Sequence, residues 1–333
     1  MSRLWFLYAH PEIKFDKVVF CLLPYESHHL TGNYKELFDI LELTDKIEFI
    51  SCPTAYSKVI VPDLSWSLQH HYSAEFNLVF DAIIEKVLGE HSPENNSYPK
   101  KIFFTRSKLE KSKNTEIGIE MLDDFFGRNG FEVIPPENLS LKEMVVLMQN
   151  AEIIAGASGS TVHNILFGKY NQQLIIAERN VINNDFQPGI NLVRHIDAIY
   201  IDSFLTVNSV NSGLGPFLYY PTLELLKFAE DHQMVLPSEK FMSEEWLKKK
   251  LRRYFAMWKK FYHRQWYFQK CALPEMNAFY EAYSDSLIYT NDYLRGNKTL
   301  FFSDHLSVTR FAKRAIKNRY LLDGLRKLRN LLR

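Results

Sequence analysis

The chain has 333 residues, enough for two ordinary domains with a sizeable core in each. Apolar residues make up 46% and charged residues 24%, which excludes a disordered chain. With 40 Lys and Arg against 39 Asp and Glu, the net charge is +1, and no whole-molecule field directs it to nucleic acid.

The opening MSRLWFLYAHPEIKFDKVVFCLLP lacks a charged n-region, a long apolar run and a small-residue cleavage site, so it does not read as a signal peptide. Residues 17–24 form an apolar run closed by proline, which predicts a buried strand. A polar loop with His28 and His29 follows, and then YKELFDILEL has helical spacing through Leu37, Ile40 and Leu41. IEFIS and KVIVP predict two further strands, and SAEFNLVFDAIIEKVL an amphipathic helix. Strands alternating with helices indicate a parallel sheet covered on both faces. Residues 89–100, rich in Pro, Asn and Ser, are the best linker candidate.

After the linker the alternation restarts. KIFFTR reads as a strand, EIGIEMLDDFFGRN as a helix ending near Gly130, and FEVIPP as a strand. LSLKEMVVLMQNA is a helix that Ser140 can cap, with Glu143 completing a capping box. EIIAG is a strand, STVHNILFGKY a helix and QLIIAE a strand, in the order of a doubly wound α/β domain. From about 216 the pattern is mostly helical. The expected division is an N-terminal Rossmann-like domain over 1–92, a second over 96–215 and a helical extension over 216–333.

That extension ends in a basic stretch, Arg310–Arg333, with nine Lys or Arg against the single acid Asp323. As an amphipathic helix it either lies on an anionic membrane surface or packs back on the body with its charges in solvent. No run of about 18 apolar residues predicts a membrane span. Cys21, Cys52 and Cys271 are widely spaced, support neither a disulfide framework nor a zinc site, and fit a reducing cytoplasm.

The segment richest in chemistry is AEIIAGASGSTVHNILF. An apolar strand runs into a small-residue loop, Gly156 to Gly159, and straight into the next element. Small residues let backbone N–H groups approach an anion, and Ser158, Ser160 and Thr161 add hydroxyls. A diphosphate suits this corner, although many strand–helix turns use Gly and Ser without binding anything. The loop is neither a Walker A sequence nor a GxGxxG fingerprint, which lowers the kinase, ATPase and dehydrogenase readings. Arg106, at the carboxyl end of its strand, is either a fork for phosphate or an ordinary surface arginine. His163 and Asn164 follow the loop; His163 either serves a phosphate or packs in the core. His28 and His29, and also His70 and His71, stand in loops where a general base or a solvated histidine is equally at home. No Asp-x-Asp pair follows a strand, so a diphosphate would be held by hydroxyls, backbone and arginine without a metal.

Taken together, residues 100–167 resemble the core of glycosyltransferase family 61. The resemblance rests on Arg106 ending a strand, Glu116 and Glu120, Gly130-Phe131, Pro136-Glu137, Leu139-Ser140-Leu141, and Gly159-Ser160 leading to Asn164 and Leu166-Phe167. The stretch from Asp45 to Phe76 also looks like the family's upstream half, so the likeness covers roughly 35–205. Many members carry His-Gly at the loop where this chain has Ser158-Gly159; the Ser-Gly loop before His163-Asn164 looks more like a bacterial capsule-associated branch.

The resemblance implies a GT-B fold, an inverting mechanism, no metal and no cofactor beyond a nucleotide-sugar donor, a UDP-sugar in plant and animal members. Carried onto this chain, it implies a hexosyl- or pentosyltransferase acting on a capsular or other surface glycan, free or lipid-linked, on the cytoplasmic side. The donor set would be Arg106, Ser158, Gly159, Ser160, Thr161, His163 and Asn164, with Glu120 and Glu137 for ribose or base and His28 or His29 as the base. Two other readings stand beside it: a non-catalytic sugar- or nucleotide-binding module of a polysaccharide assembly complex, and transfer of a polyol phosphate.

Overall fold

A computed structural model describes residues 2–22, 29–67, 71–90, 98–109, 115–180, 186–205 and 215–262. The basic stretch Arg310–Arg333 and His28 and His70 lie outside the described residues. The chain forms two compact units that are not consecutive in sequence: one comprises 1–109, 130–178 and 182–201, the other 110–129, 179–181 and 202–333.

The first unit opens with α1 (Trp5–Ala9), β1 (Val18–Cys21), α2 (Gly32–Ile40) and β2 (Ile47–Ile50). A short hairpin of β3 (Trp66–Ser67) and β4 (His71–Tyr72), α3 (Phe76–Glu90) and β5 (Lys101–Phe104) follow. The chain then leaves for the second unit, where it forms β6 (Glu116–Ile117) and α4 (Glu120–Arg128). It returns for β7 (Glu132–Ile134), α5 (Leu141–Asn150), β8 (Ile153–Ala157), β9 (Gln173–Glu178), α6 (Phe186–Arg194) and β10 (Asp197–Asp202). β11 (Phe217–Leu218), α7 (Leu223–Asp231) and α8 (Glu244–Tyr262) belong to the second unit.

The main sheet has five strands in the order β10-β9-β8-β5-β7, and β7, β5, β8 and β9 pair parallel. Ile102, Phe103 and Phe104 are fully buried, as are Ile154, Ala155, Leu174 and Ala177. Such continuous apolar runs belong to parallel strands covered on both faces. Ile102, Phe104, Ile154, Leu174 and Ile176 share one core with Val79, Ile83 and Val87 of α3 and Val145 and Met148 of α5. Leu4, Leu37, Phe38 and Leu41 join that same core, so the N-terminal segment packs on the unit that holds the main sheet. The predicted α/β character is observed.

α5 begins as its sequence specifies. Ser140 N–H donates to Glu143 Oε2 at 2.7 Å, and Glu143 N–H to Ser140 Oγ at 3.2 Å. Glu36 of α2 accepts from Leu141 N–H at 2.9 Å and Lys142 N–H at 3.2 Å, taking two more of the donors that a helix start leaves over.

The run expected as a buried strand over 17–24 forms β1, but in a two-stranded parallel sheet with β2 and half-exposed, Val19 and Cys21 facing solvent. Three further expected elements differ. Residues 58–62 form no strand: Val59 and Val61 are 63% and 71% exposed. Instead the segment is tied to the N-terminus, with Trp5 Nε1–H donating to Asp63 O at 2.9 Å and Arg3 to Pro62 O. The expected helix over 116–129 starts as β6, paired parallel with β11, and becomes helical only from Glu120. Gly118 makes the break at φ +87°, where a Cβ would meet Tyr219 O at 2.6 Å. The helix expected after the glycine loop is a six-residue 3-10 turn, Val162–Phe167. Thr161, Val162 and Ile165 are β-branched and Gly168 closes the segment, so an α-helix has little to sustain it.

In the second unit, Leu225, Leu226 and Ala229 of α7 and Leu247, Leu251 and Tyr254 of α8 are buried. No helix among the described residues is long and apolar enough to cross a membrane.

Candidate functional site

From β5 the chain proceeds to β7 on one side, and from β8 to β9 on the other. The direction of winding therefore reverses between β5 and β8. In open α/β sheets the crevice at the carboxyl ends beside such a reversal is where ligands bind. The hydrogen bonds beyond the strands follow the same division. The β5–β8 register runs from Lys101↔Ile153 to Phe104↔Gly156. Beyond it, Thr105 N–H donates to Ile134 O at 3.0 Å, and Ser158 N–H to Ala177 O at 2.9 Å. Each strand thus follows its outer neighbour, and the two residues after the last β5–β8 pair are Thr105-Arg106 on one side and Ala157-Ser158 on the other.

Both sides have a fixed backbone. Thr105 Oγ1 accepts from Ser107 N–H at 3.0 Å, which turns the chain at Arg106. Arg106 itself is half-buried. After β8, Gly159 takes φ +139°, and the 3-10 bonds Val162 N–H to Gly159 O (3.3 Å), His163 N–H to Ser160 O (3.2 Å) and Asn164 N–H to Thr161 O (3.3 Å) follow. Gly156 lets this turn fold back over the strand: a Cβ there would sit 2.9 Å from Val162 Cγ1 and 3.7 Å from Phe104 Cβ.

The fold therefore brings together Arg106 and Ser158, Gly159, Ser160 and Thr161, on neighbouring strands at one edge. Within the loop the side chains differ. Ser158 is buried, Ser160 is exposed and Thr161 half-buried. His163 and Asn164 are half-buried on the turn, the His163 ring lying 6.0 Å from that of Phe186. Glu137, exposed on the 3-10 turn Pro136–Asn138 after β7, stands at the same edge but beyond β5. Glu120 belongs to the second unit, where its carboxylate pairs with Lys250 of α8. His29 is exposed in the loop between β1 and α2.

Sequence reasoning missed the residues that end β9. Glu178, Arg179 and Asn180 are 7%, 5% and 4% exposed, although they are polar and close a strand of the same sheet. The rule that singles out Arg106, a polar residue at the carboxyl end of a parallel strand, applies equally to them. In the second unit Arg179 Nη1 donates to Glu116 Oε1 at 3.1 Å, and Tyr219 OH to Glu116 Oε2 at 2.8 Å. The Arg179 guanidinium also stacks 4.3 Å from the Phe217 ring centroid. In the first unit, burial raises the Tyr200 phenol above its ordinary range, with a contribution from the Glu178 charge. Among the described residues, no three His, Cys, Asp or Glu side chains gather where they could hold a metal ion. A separate groove of about 460 Å³ runs along β7 and α5, lined by Tyr98, Pro99, Ile134, Leu139 and Val146.

The family model described as Glycosyltransferase 61 matches residues 3–175, more than half of the chain, and that span includes β5, β8 and the loop after it. No curated protein matches.

Proposed function

The chain belongs to glycosyltransferase family 61, and from that premise we propose that the crevice between β5 and β8 binds the diphosphate of a nucleotide-sugar donor. Glycosyl transfer is the family's activity; donor, acceptor and the residues that serve them are our assignment. The observation that carries it is the winding reversal, with Arg106 on one wall and the Ser158–Thr161 loop on the other. Arg106 presents a planar, permanently charged fork suited to phosphate oxygens. Gly159, Ser160 and Thr161 supply backbone N–H groups and two accessible hydroxyls, with His163 and Asn164 next to them. Glu120 and Glu137 are the candidates for ribose or base.

In an inverting transfer an acceptor hydroxyl oxygen bonds to the anomeric carbon as the bond from that carbon to the donor phosphate oxygen breaks. The hydroxyl proton passes to a base, for which His28 or His29 is our candidate, and negative charge gathers on the leaving diphosphate. Arg106 and the loop stabilise that charge where it develops, which is where catalysis gains most. No step in this scheme requires a metal. The bacterial capsular resemblance supports a surface polysaccharide as acceptor, on the cytoplasmic side. In this reading residues 96–215 serve the donor in a GT-B arrangement and residues 1–92 the acceptor.

Thermal-shift titration with UDP, GDP and CMP and their sugars, with and without EDTA, tests the donor class, since a ligand of the folded form raises its stability. We expect a shift with one nucleotide that EDTA leaves unchanged. Arg106→Ala should lower turnover by roughly 10²–10³-fold while keeping the fold. Near-normal turnover in that variant removes Arg106 from the scheme.

A further inference from the structure

The turn that carries His163 and Asn164 has only six residues and single-turn 3-10 bonding. Such a segment has little rigidity of its own. Its carbonyl end is nevertheless held by side chains from two helices. Gln149 of α5 donates from Nε2 to Phe167 O at 2.7 Å, and Arg194 of α6 from Nη2 to Gly168 O at 2.9 Å.

Arg194 is fully buried, an unusual place for a guanidinium. Its Nη1 meets Asp81 Oδ1 at 2.5 Å, and its plane lies 4.5 Å from the Tyr170 ring centroid. Tyr170 OH in turn donates to Asp81 Oδ2 at 2.9 Å. Burying a charge is costly, and an apolar residue could fill the space. What an apolar residue could not do is grip a backbone carbonyl and a carboxylate at once from a rigid fork.

α6 also reaches the other end of the turn. Nine helical residues span about 13 Å, and six 3-10 residues about 12 Å. Phe186, at the start of α6, lies against His163, while Arg194, at its end, holds Gly168. α6 is itself seated firmly. A Cβ on Gly189 would come within 2.1 Å of Tyr72 Cε1 and 2.6 Å of Trp66, and Asn77 Nδ2 donates to Val193 O at 2.5 Å.

We propose that Arg194 and Gln149 are positioning residues for the donor site: they fix the turn bearing His163 and Asn164 without touching ligand. This rests on the donor-site reading above. The test uses the full chain and the variants Gln149→Met, Arg194→Lys and, as a reference, Arg106→Ala. Calorimetric Kd values for UDP and GDP are measured well below each variant's melting temperature, with circular dichroism showing each folded. We expect Gln149→Met and Arg194→Lys to weaken nucleotide binding roughly tenfold. A merely structural role lowers the melting temperature and leaves Kd at the wild-type value, and that result overturns the proposal. Gln149→Met alone decides the matter if Arg194→Lys does not fold. If the wild type binds neither nucleotide, or Arg106→Ala binds as the wild type does, the donor-site reading falls and this proposal falls with it. If Arg106→Ala alone loses binding, only the positioning role is refuted.

Discussion

Gly156 offers the sharpest test of how the loop is built. An alanine there places its Cβ 2.9 Å from Val162 Cγ1, and Val162 is only 1% exposed. Ordinary carbon–carbon contact begins near ~3.5 Å, so the turn must move by about 0.6 Å or more. Overpacking of this kind costs about 1–3 kcal/mol. The loss of unfolded-chain entropy on Gly→Ala returns only about 0.4–1 kcal/mol. Gly156→Ala should therefore be net destabilising. Val162→Ala alone removes two buried methyl groups and should cost about 2 kcal/mol. In the double variant the clash is gone while the entropic gain remains. It should be at least as stable as Val162→Ala alone, a coupling of about 1–3 kcal/mol between neighbours. Urea unfolding of the four proteins measures this directly. Additivity of the two single changes to within about 0.5 kcal/mol would refute the packing argument. Nucleotide affinity should follow the same pattern, weakened in Gly156→Ala and restored in the double variant, because Thr161 and His163 flank the residue that is displaced.

The buried Glu116–Arg179–Tyr219 group predicts an order of effects. Tyr219→Phe removes one hydrogen bond to a carboxylate, for a loss of about 1.5–3 kcal/mol, whereas Glu116→Gln removes a charge paired with a buried guanidinium, for about 3–5 kcal/mol; equal losses in urea unfolding would contradict this. The capping box makes a pH prediction. Hydrogen bonds from the Ser140 backbone and hydroxyl hold the Glu143 carboxyl below its ordinary value of 4.5, so its contribution is complete above that value and is lost as pH falls through the lowered one. The melting-temperature gap between wild type and Glu143→Gln should be constant from pH 7 to 5 and close on further acidification; a gap that persists at the lowest pH that keeps the protein folded contradicts the assignment.

Much of the first unit was legible in the chain itself. Ile102–Phe104, Ile153–Ala157 and Gln173–Glu178 read as strands because buried parallel strands need apolar side chains on both faces. Ser140 and Glu143 announced their helix through a purely local exchange of bonds. KVIVP misled because apolar alternation says nothing of an available partner, and Pro53 and Pro62 flank a segment that ends up beside α1. α6 went unread because FQPGINLVR carries Pro188 and Gly189. Proline is tolerated in a first helical turn, and the glycine is there to admit Tyr72 and Trp66. The candidate site was half legible. Arg106 and the Ser158–Thr161 loop could be singled out by residue type, yet their adjacency depends on β7 and β8 lying on opposite sides of β5, a fact of strand order that no local pattern encodes. Arg194 was invisible: an arginine at the end of an amphipathic helix ordinarily points to water.

The excursion between β5 and β7 bears on how the protein is made. β6 leaves the ribosome early, but its partner β11 follows about a hundred residues later, and contacts of such long sequence separation form late. Meanwhile β7 must find β5 across the inserted segment. Neither unit can be released by a single cut, since each is assembled from three stretches of chain. The matched region ends at residue 175, in the middle of β9. A fragment trimmed to that limit would lose the end of β9, all of α6 and β10, and with them Arg194, one of the two side chains that hold the turn after β8. The boundary of resemblance is thus not a boundary of folding, and biosynthesis has to run on through the later helices before the early strands are secure.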